Sequence, residues 1–179
     1  MASILNVDQI NNAAGTSAIS IDSSGNALMP GHSVQEVHHV CNAANTLSST
    51  SYVDVAGASM TFTPKFANSK LFVQSVQHIY CEQTGASWGA ANSAIVIDGN
   101  LQSPAGSDAN QLAVGSRDTN QSSSHTTRIM GFDTQTATYT VSSTNPIIIK
   151  VQGKVFQTIT TCNVNVYSRG FIRVTEIAQ

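Results

Sequence analysis

The sequence predicts an all-β protein, an antiparallel β-sandwich of jelly-roll type with an extended N-terminal segment. Only 10% of its 179 residues are charged, against about 25% in a typical globular domain. Uncharged polar residues are abundant instead, with 23 Ser, 18 Thr, 14 Asn and 12 Gln, and Ser, Thr and Asn disfavour helix interiors. From residue 33 onward apolar and polar residues alternate along many segments, which is the period of strands that bury one face.

The chain is predicted to divide at Pro30-Gly31 into an N-terminal segment, residues 1–31, and a sandwich domain, residues 32–179. The apolar residues of the segment are too sparse to form a core of their own. They are expected to be buried against other copies of the chain or against a partner, and disorder is the competing interpretation. Residues 18–28 are typical of a short strand, a turn of Ser, Gly and Asn, and a second strand.

About nine or ten strands are predicted in the sandwich domain. The Asp98-Gly99 pair predicts a tight hairpin turn between the strands that flank it. The longest predicted strand carries apolar residues on both faces, so its second face is also expected to be covered. The turn-rich segments 84–92, 102–124 and 142–145 are predicted loops, where binding residues tend to lie. The predicted strands are 33–41, 52–55, 59–63, 69–82, 94–101, 125–132, 136–141, 146–156, 160–167 and 170–177.

The cysteines, the apolar stretches and the N-terminus indicate the cellular compartment in which the chain is made. Cys41, Cys81 and Cys162 are far apart without CxxC spacing, which indicates neither a disulfide framework nor a zinc site. Each lies among alternating apolar residues and is expected to be a small buried hydrophobe. No stretch approaches the ~20 apolar residues of a membrane span, and the N-terminus lacks the features of a signal peptide. We therefore expect synthesis in a cytoplasm, without membrane insertion.

The sequence lacks the common catalytic motifs GxSxG, HExxH, GxGxxG, the Walker A loop and the EF-hand loop. Several of its ten acidic residues lie in turn contexts, and no pair suggests a general acid and base. No catalytic residue, cofactor or resident metal is predicted. The C-terminal cations are not interleaved with aromatic residues, which favours a solvated outer face over a polyanion site and predicts no nucleic-acid partner. These cations are Lys150, Lys154, Arg169 and Arg173.

Adjacent histidines lie on a predicted strand. His38 and His39 should point to opposite faces, so one copy cannot use both for a single metal ion. They are interpreted as ordinary polar strand residues. The alternative is a ring of histidines from several copies around a threefold axis, which would hold a metal ion.

The predicted loops contain candidate contacts to a glycan. Trp88 lies among small residues and would act as a packed loop anchor or as a platform on which a sugar ring stacks. A polar run, residues 119–124, is flanked by Arg117, Asp118 and His125. These three residues would either belong to a solvated loop or present hydrogen-bonding groups to a glycan. The packed anchor and the solvated loop are the favoured interpretations.

Three fragments resemble one family. Residues 4–10 (ILNVDQI), followed by 19–26 (ISIDSSGN), look like the opening of fibre-like virion proteins of tailed bacteriophages, especially marine ones. Residues 62–73 (FTPKFANSKLFV) resemble a strand-turn-strand element of that group, and 170–177 (GFIRVTEI) extends the resemblance to the C-terminal end. The resemblance implies a homotrimer, an N-terminal segment that attaches to the particle or to another fibre component, and a C-terminal head exposed to the host. It brings no active-site residues.

The expected function is that of a non-enzymatic fibre or appendage subunit, made in the host cytoplasm and located in the virion. A host-surface glycan is a candidate partner. A capsid-decorating head-fibre protein would use the same fold, and a free carbohydrate-binding lectin is the alternative from a different class. A depolymerase is least favoured, because no acid and base pair can be named. Attachment to the particle is assigned to the apolar residues of the segment, Ile4, Leu5, Val7, Ile10, Ile19 and Ile21.

Overall fold

A computed structural model describes residues 8–11, 13–15, 17–21, 23, 25, 27–84, 88–103, 114–117, 126–156, 161–165 and 169–179. Every regular element within these ranges is a strand, and every strand pairing is antiparallel, which confirms the predicted all-β fold. The strands are β1 (Gln9–Asn11), β2 (Ser17–Ile21), β3 (Ala27–Leu28), β4 (Ser33–Cys41), β5 (Asn45–Leu47), β6 (Val53–Phe62), β7 (Lys70–Thr84), β8 (Trp88–Ile97), β9 (Asn100–Ser103), β10 (Val114–Arg117), β11 (Thr126–Thr140), β12 (Ile147–Val155), β13 (Thr161–Val164) and β14 (Gly170–Ile177).

Two sheets form the sandwich, and their strand order is that of a jelly roll. In sheet I, β8 lies between β12 and the short strands β9 and β10, and β6 follows β12. In sheet II the order is β4, β14, β7, β11, with β13 and β5 extending the side of β7 that carries β14. The first long strand therefore pairs with the last, β6 with β12, β7 with β11, and β8 with β9 and β10, as in two interlocked Greek keys.

The core lies between the two sheets and follows from the alternation of the strands. Leu71 and Val73 of sheet II and Ile95 and Ile149 of sheet I are fully buried in one hydrophobic cluster. Full burial of such a side chain contributes about 1.5–3 kcal/mol. The cluster also includes Cys41, so its predicted role as a small buried hydrophobe is confirmed.

The other two cysteines are buried in the same cluster, but the prediction that they are unpaired is wrong. Cys81 on β7 and Cys162 on β13 are joined by a disulfide. They lie directly opposite each other in the ladder that pairs these strands. Because 81 residues separate them in the sequence, their spacing gave no sign that the fold makes them cross-strand neighbours.

A buried polar cluster lies where β7 changes partner. β7 pairs with β14 up to Val76 and with β13 from Ile79 onward. Asn165 occupies the interval: its Nδ2 donates to Gln77 Oε1 at 2.8 Å, and its Oδ1 accepts from the His78 amide at 3.1 Å. Its backbone is in the left-handed region, with φ of 58°, which Asn tolerates better than most residues.

Several predicted boundaries differ from the structure. β6 is continuous where two strands were predicted, and its register shifts in the stretch that contains Gly57. β11 is also continuous, although Asp133 and Gln135 interrupt its apolar pattern. β8 begins at Trp88, inside a predicted loop, and the short strands β5 and β10 were not predicted. The Asp98-Gly99 hairpin is confirmed, with φ of 49° and 81° as a tight turn requires.

The described N-terminal residues form a small sheet of their own. β2 pairs with β1 on one side and with β3 on the other, which confirms the strands predicted within residues 18–28. The Gly31 amide donates to the Ala178 carbonyl at 2.7 Å, so the end of this segment is fastened beside the end of β14. The division at residue 31 remains a prediction.

Candidate interaction surfaces

The outer face of sheet II, which points away from the core, carries exposed apolar side chains. The core positions of β7 and β11 alternate with outward ones, and these outward residues pair across the two strands as Phe132 with His78 and Met130 with Tyr80. Met130 is 65% exposed and Phe132 is 56% exposed. His78 and Tyr80 are nearly buried beside them, so the expectation that both faces of β7 are covered is confirmed in part.

This exposed group continues across sheet II. Phe171 of β14 lies opposite Val40 of β4 and opposite Val76 of β7 in the two ladders. Val40 is 50% exposed, whereas Val76 and Phe171 are half-buried. The Phe132 ring meets the His78 ring edge-on, with centroids 5.4 Å apart, and so links the two ends of the group. We call Val40, Val76, Met130, Phe132 and Phe171 the apolar patch.

A charged row lies beside the apolar patch. Glu36 accepts hydrogen bonds from His38 at 2.9 Å, from Arg173, and from Thr175 at 3.2 Å. The hydrogen bond from His38, followed by that from Arg173, lowers the pKa of Glu36 to about 2. The charges of this row are therefore matched within one copy.

The two adjacent histidines separate as predicted. His38 lies in the charged row on the outer face, whereas His39 Nε2 lies 2.9 Å from the Gly57 carbonyl of β6. Of the two, only His38 is placed on the face that carries the apolar patch. In the part of the chain that the structure describes, no three His, Cys, Asp or Glu residues are grouped to hold a metal ion.

The structure brings together two of the four candidate glycan contacts. Trp88 opens β8 and Arg117 closes β10, and the ladder places them directly opposite each other. The expectation that Trp88 lies in a loop is therefore wrong, because its flanking small residues continue into a strand. Asp118 and His125 lie outside the described residues.

Lys154 contradicts the expectation that the C-terminal cations form a solvated face. It is only 7% exposed, and its Nζ lies 4.7 Å from the centre of the Tyr52 ring and 5.6 Å from that of Phe156. Aromatic faces attract a cation, and the aliphatic stem of lysine packs on apolar surface. Arg169 is exposed, Lys150 pairs with Asp54 at 2.8 Å, and Arg173 pairs with Glu36.

Two buried carboxylates were missed by the sequence analysis. Glu176 accepts hydrogen bonds from the amides of Lys65 at 3.0 Å and Phe66 at 3.1 Å, from Ser69 Oγ at 2.6 Å, and from Gln35. It thereby fastens the 62–73 fragment to the 170–177 fragment, and the former is confirmed as strand, turn and strand. Because the two fragments are more than 100 residues apart in the sequence, the sequence alone gave no sign of this contact.

The second carboxylate, Asp133, joins the two sheets. It accepts hydrogen bonds from the amide and hydroxyl of Ser93 on β8, the latter at 2.8 Å, and from Gln135 at 2.9 Å. β10 pairs with β8 up to Ala91, and β9 pairs with β8 from Ile95 onward. Ser93 lies between these two pairings, and the Asp133 carboxylate accepts the hydrogen bond of its amide there. Burial raises the pKa of Asp133, although these hydrogen bonds oppose the shift.

The predicted attachment residues are placed only in part. Ile10 on β1 and Ile21 on β2 are 47% and 39% exposed, and Ile19 is half-buried. Ile4, Leu5 and Val7 lie outside the described residues. Within the described ranges no helix is long and apolar enough to cross a membrane.

Comparison with known proteins gives distant similarities of fold. No family model and no curated protein matches the chain. The sugar-binding C-terminal domain of EclA is 8% identical with a TM-score of 0.33, over 78% of this chain and 76% of that one. The VP2 subviral particle of infectious bursal disease virus is 11% identical with a TM-score of 0.35, over 98% of this chain and 51% of that one. The Eiger TNF of S. frugiperda is 5% identical with a TM-score of 0.32, over 80% of this chain and 94% of that one. At such TM-scores none of these similarities carries a conclusion about function.

Proposed function

We propose that the chain is a non-enzymatic structural subunit of a bacteriophage virion, of the tail-fibre or appendage type. Its N-terminal segment attaches to the particle, and its sandwich faces outward, where it contacts the host surface. Copies associate as a homotrimer. The family resemblance of the three sequence fragments suggests this role, and the exposed surfaces described above support it.

The observation that carries the proposal is the presence of two apolar surfaces that a single copy leaves in water. One is the apolar patch of sheet II, and the other is the N-terminal sheet with Ile10 and Ile21 exposed. Large contiguous apolar surfaces on soluble proteins usually mark interaction sites. A subunit that contacts both its own copies and the particle needs two such surfaces.

Gold-labelled antibodies raised against the purified chain test this proposal on phage particles from the lysate in which the chain is made. The expected result is label at the tail or at an appendage. Label spread over the capsid would assign the chain to the head-fibre class instead. Intact particles that carry no label, in preparations where the chain stays in the soluble fraction, would contradict a virion role.

A free carbohydrate-binding lectin is the second candidate, favoured by the pairing of Trp88 with Arg117. Aromatic and guanidinium groups on neighbouring strands are suited to a sugar ring and its hydroxyl groups. A glycan array compares the native chain with Trp88→Ala and with Leu101→Ala, a control on β9, which also pairs with β8. Binding lost only in Trp88→Ala supports the lectin role, and absence of binding to every glycan counts against it.

A further inference from the structure

The outer face of sheet II has the dimensions of a subunit interface. Four strands lie side by side in the order β4, β14, β7, β11, and the two longest have 15 residues each. The other two, β4 and β14, have 9 and 8 residues. The area follows from a length of ~3.3 Å per residue and a width of ~4.8 Å per strand. The resulting area of about 750 Å² is close to the ~800 Å² that each partner buries in a standard interface.

The apolar patch lies within this face and is bordered along one side by polar residues. On β11 the outward positions that follow Phe132 are Thr134, Thr136 and Thr138, all exposed. The charged row of Glu36, His38 and Arg173 lies on the same side of the patch, because Arg173 and Thr136 both pair with Gln74 of β7. Phe72, which is 40% exposed, lies between the charged row and the threonines. Apolar residues bordered by polar ones are usual in a protein–protein interface.

The charges of this face indicate which kind of partner would cover it. Glu36 binds both His38 and Arg173, so the row offers little uncompensated charge to a polyanion. The whole chain has a formal net charge of only −2, and copies of it repel each other weakly. The area, the apolar patch and the charge of this face together favour a second copy of the chain.

We infer that the outer face of sheet II is covered by a second copy of this chain, and that the contact includes its two most exposed apolar side chains, Met130 and Phe132. The inference rests on the proposed function, which it deepens by assigning the surface through which fibre subunits associate. In a closed ring of three the contact is heterologous, so the apolar patch of one copy meets a different surface of the next.

The test replaces both residues, as Met130→Thr with Phe132→Thr. Threonine suits strands and continues the series of threonines on β11, so the fold is expected to persist. Sedimentation over a range of concentrations should show the oligomer dissociating with a Kd raised roughly 30-fold or more, since a few large apolar side chains carry most of the binding energy of an interface. The matched control is Ile148→Thr on the outer face of sheet I, where the side chain is 54% exposed, and it should leave the Kd unchanged.

A labelling experiment keeps the inference testable if the double variant fails to fold. Thr136→Cys lies on the face in question, and Thr61→Cys lies on the outer face of sheet I, where both native residues are exposed. In the oligomer a bulky maleimide should modify the cysteine at 136 much more slowly than that at 61. Equal rates in the oligomer would overturn the inference.

The outcomes separate this inference from the proposed function. An oligomer whose Kd is unchanged in the double variant overturns the interface but leaves the virion role standing. A dimer that the double variant dissociates supports the interface and corrects the trimer. A native chain that stays monomeric at every concentration overturns the interface, and labelling of particles then decides the virion role independently.

Discussion

Glu176 holds together two pieces of the chain that are distant in sequence. Its carboxylate accepts hydrogen bonds from residues 65, 66 and 69 in the turn between β6 and β7 and from Gln35 on β4. Glu176→Ala removes the acceptor from donors that are partly or fully buried. We expect the free energy of unfolding to fall by roughly 3 kcal/mol or more, measured by urea denaturation.

The control for this prediction is Asp54→Ala. Asp54 is exposed on β6 of sheet I, where water can replace it as the partner of Lys150 and Gln152. It should therefore affect stability far less than Glu176→Ala. Equal losses in the two variants would show that Glu176 does not have the fastening role described here.

Asp133 makes stability depend on pH in a stated direction. Burial raises the pKa of its carboxyl group in the folded chain, so ionisation is less favourable there than in the unfolded chain. The fold therefore loses stability as pH rises through the unfolded pKa, ~3.9, toward the higher folded value. Asp133→Asn keeps an oxygen for Ser93 but cannot ionise, so its stability relative to the native chain should increase from pH 4 to pH 7.5.

Thermal denaturation of both proteins across this pH range measures the difference. Parallel curves would mean that the pKa of Asp133 is the same in the folded and unfolded states.

Neither Asp133 nor Glu176 could be recognised from the sequence as a buried acceptor. Apart from Gln135, their partners lie 40 or more residues away, and an isolated acidic residue in a strand normally indicates a solvated position.

The disulfide between β7 and β13 is the covalent link of sheet II. Its two cysteines enclose a long stretch of chain, with a sequence separation of 81, so the link restricts the unfolded state. Cys81→Ala with Cys162→Ala should lower the free energy of unfolding by about 2–5 kcal/mol. Urea denaturation with and without reductant should give the same midpoint for this variant and different midpoints for the native chain.

The control is Cys41→Ala, which should retain the sensitivity to reductant because Cys41 is free and buried in the core. A native chain whose urea midpoint does not respond to reductant would contradict a stabilising disulfide. Since the cysteines were predicted to be unpaired, this measurement also decides a point on which sequence and structure disagree.

Some strands were predicted closely and others were not. β4 and β14 begin and end where the sequence placed them. β11 was predicted as two strands because Asp133 and Gln135 are buried where an apolar residue was expected. β5 and β10 have three and four residues, too few to show any period.

At the scale of the whole molecule, the sequence predicted the architecture but not the pairing of its strands. The jelly-roll order pairs β4 with β14 and β6 with β12, and no local pattern in one sequence encodes such distant contacts. The candidate surfaces were likewise predictable only where they depend on a single strand and not on the strand order. The apolar content of both faces of β7 was predictable, whereas its continuation through Val40 and Phe171 depends on the strand order.

The proposed role requires that the chain associate with itself. Its sandwich leaves the apolar patch in water, and its N-terminal sheet leaves Ile10 and Ile21 partly exposed. A fibre subunit would cover the first surface with another copy and use the second for attachment. A free lectin could instead remain monomeric, with Trp88 and Arg117 as its contacts.

The solution mass of the full chain, measured by light scattering, tests the claim of a self-assembling virion subunit most directly. One copy has a mass of 18.8 kDa. We predict a single species of three times this mass that persists on dilution to micromolar concentration. A species of 18.8 kDa at all concentrations would contradict the homotrimer and the use of sheet II as its interface.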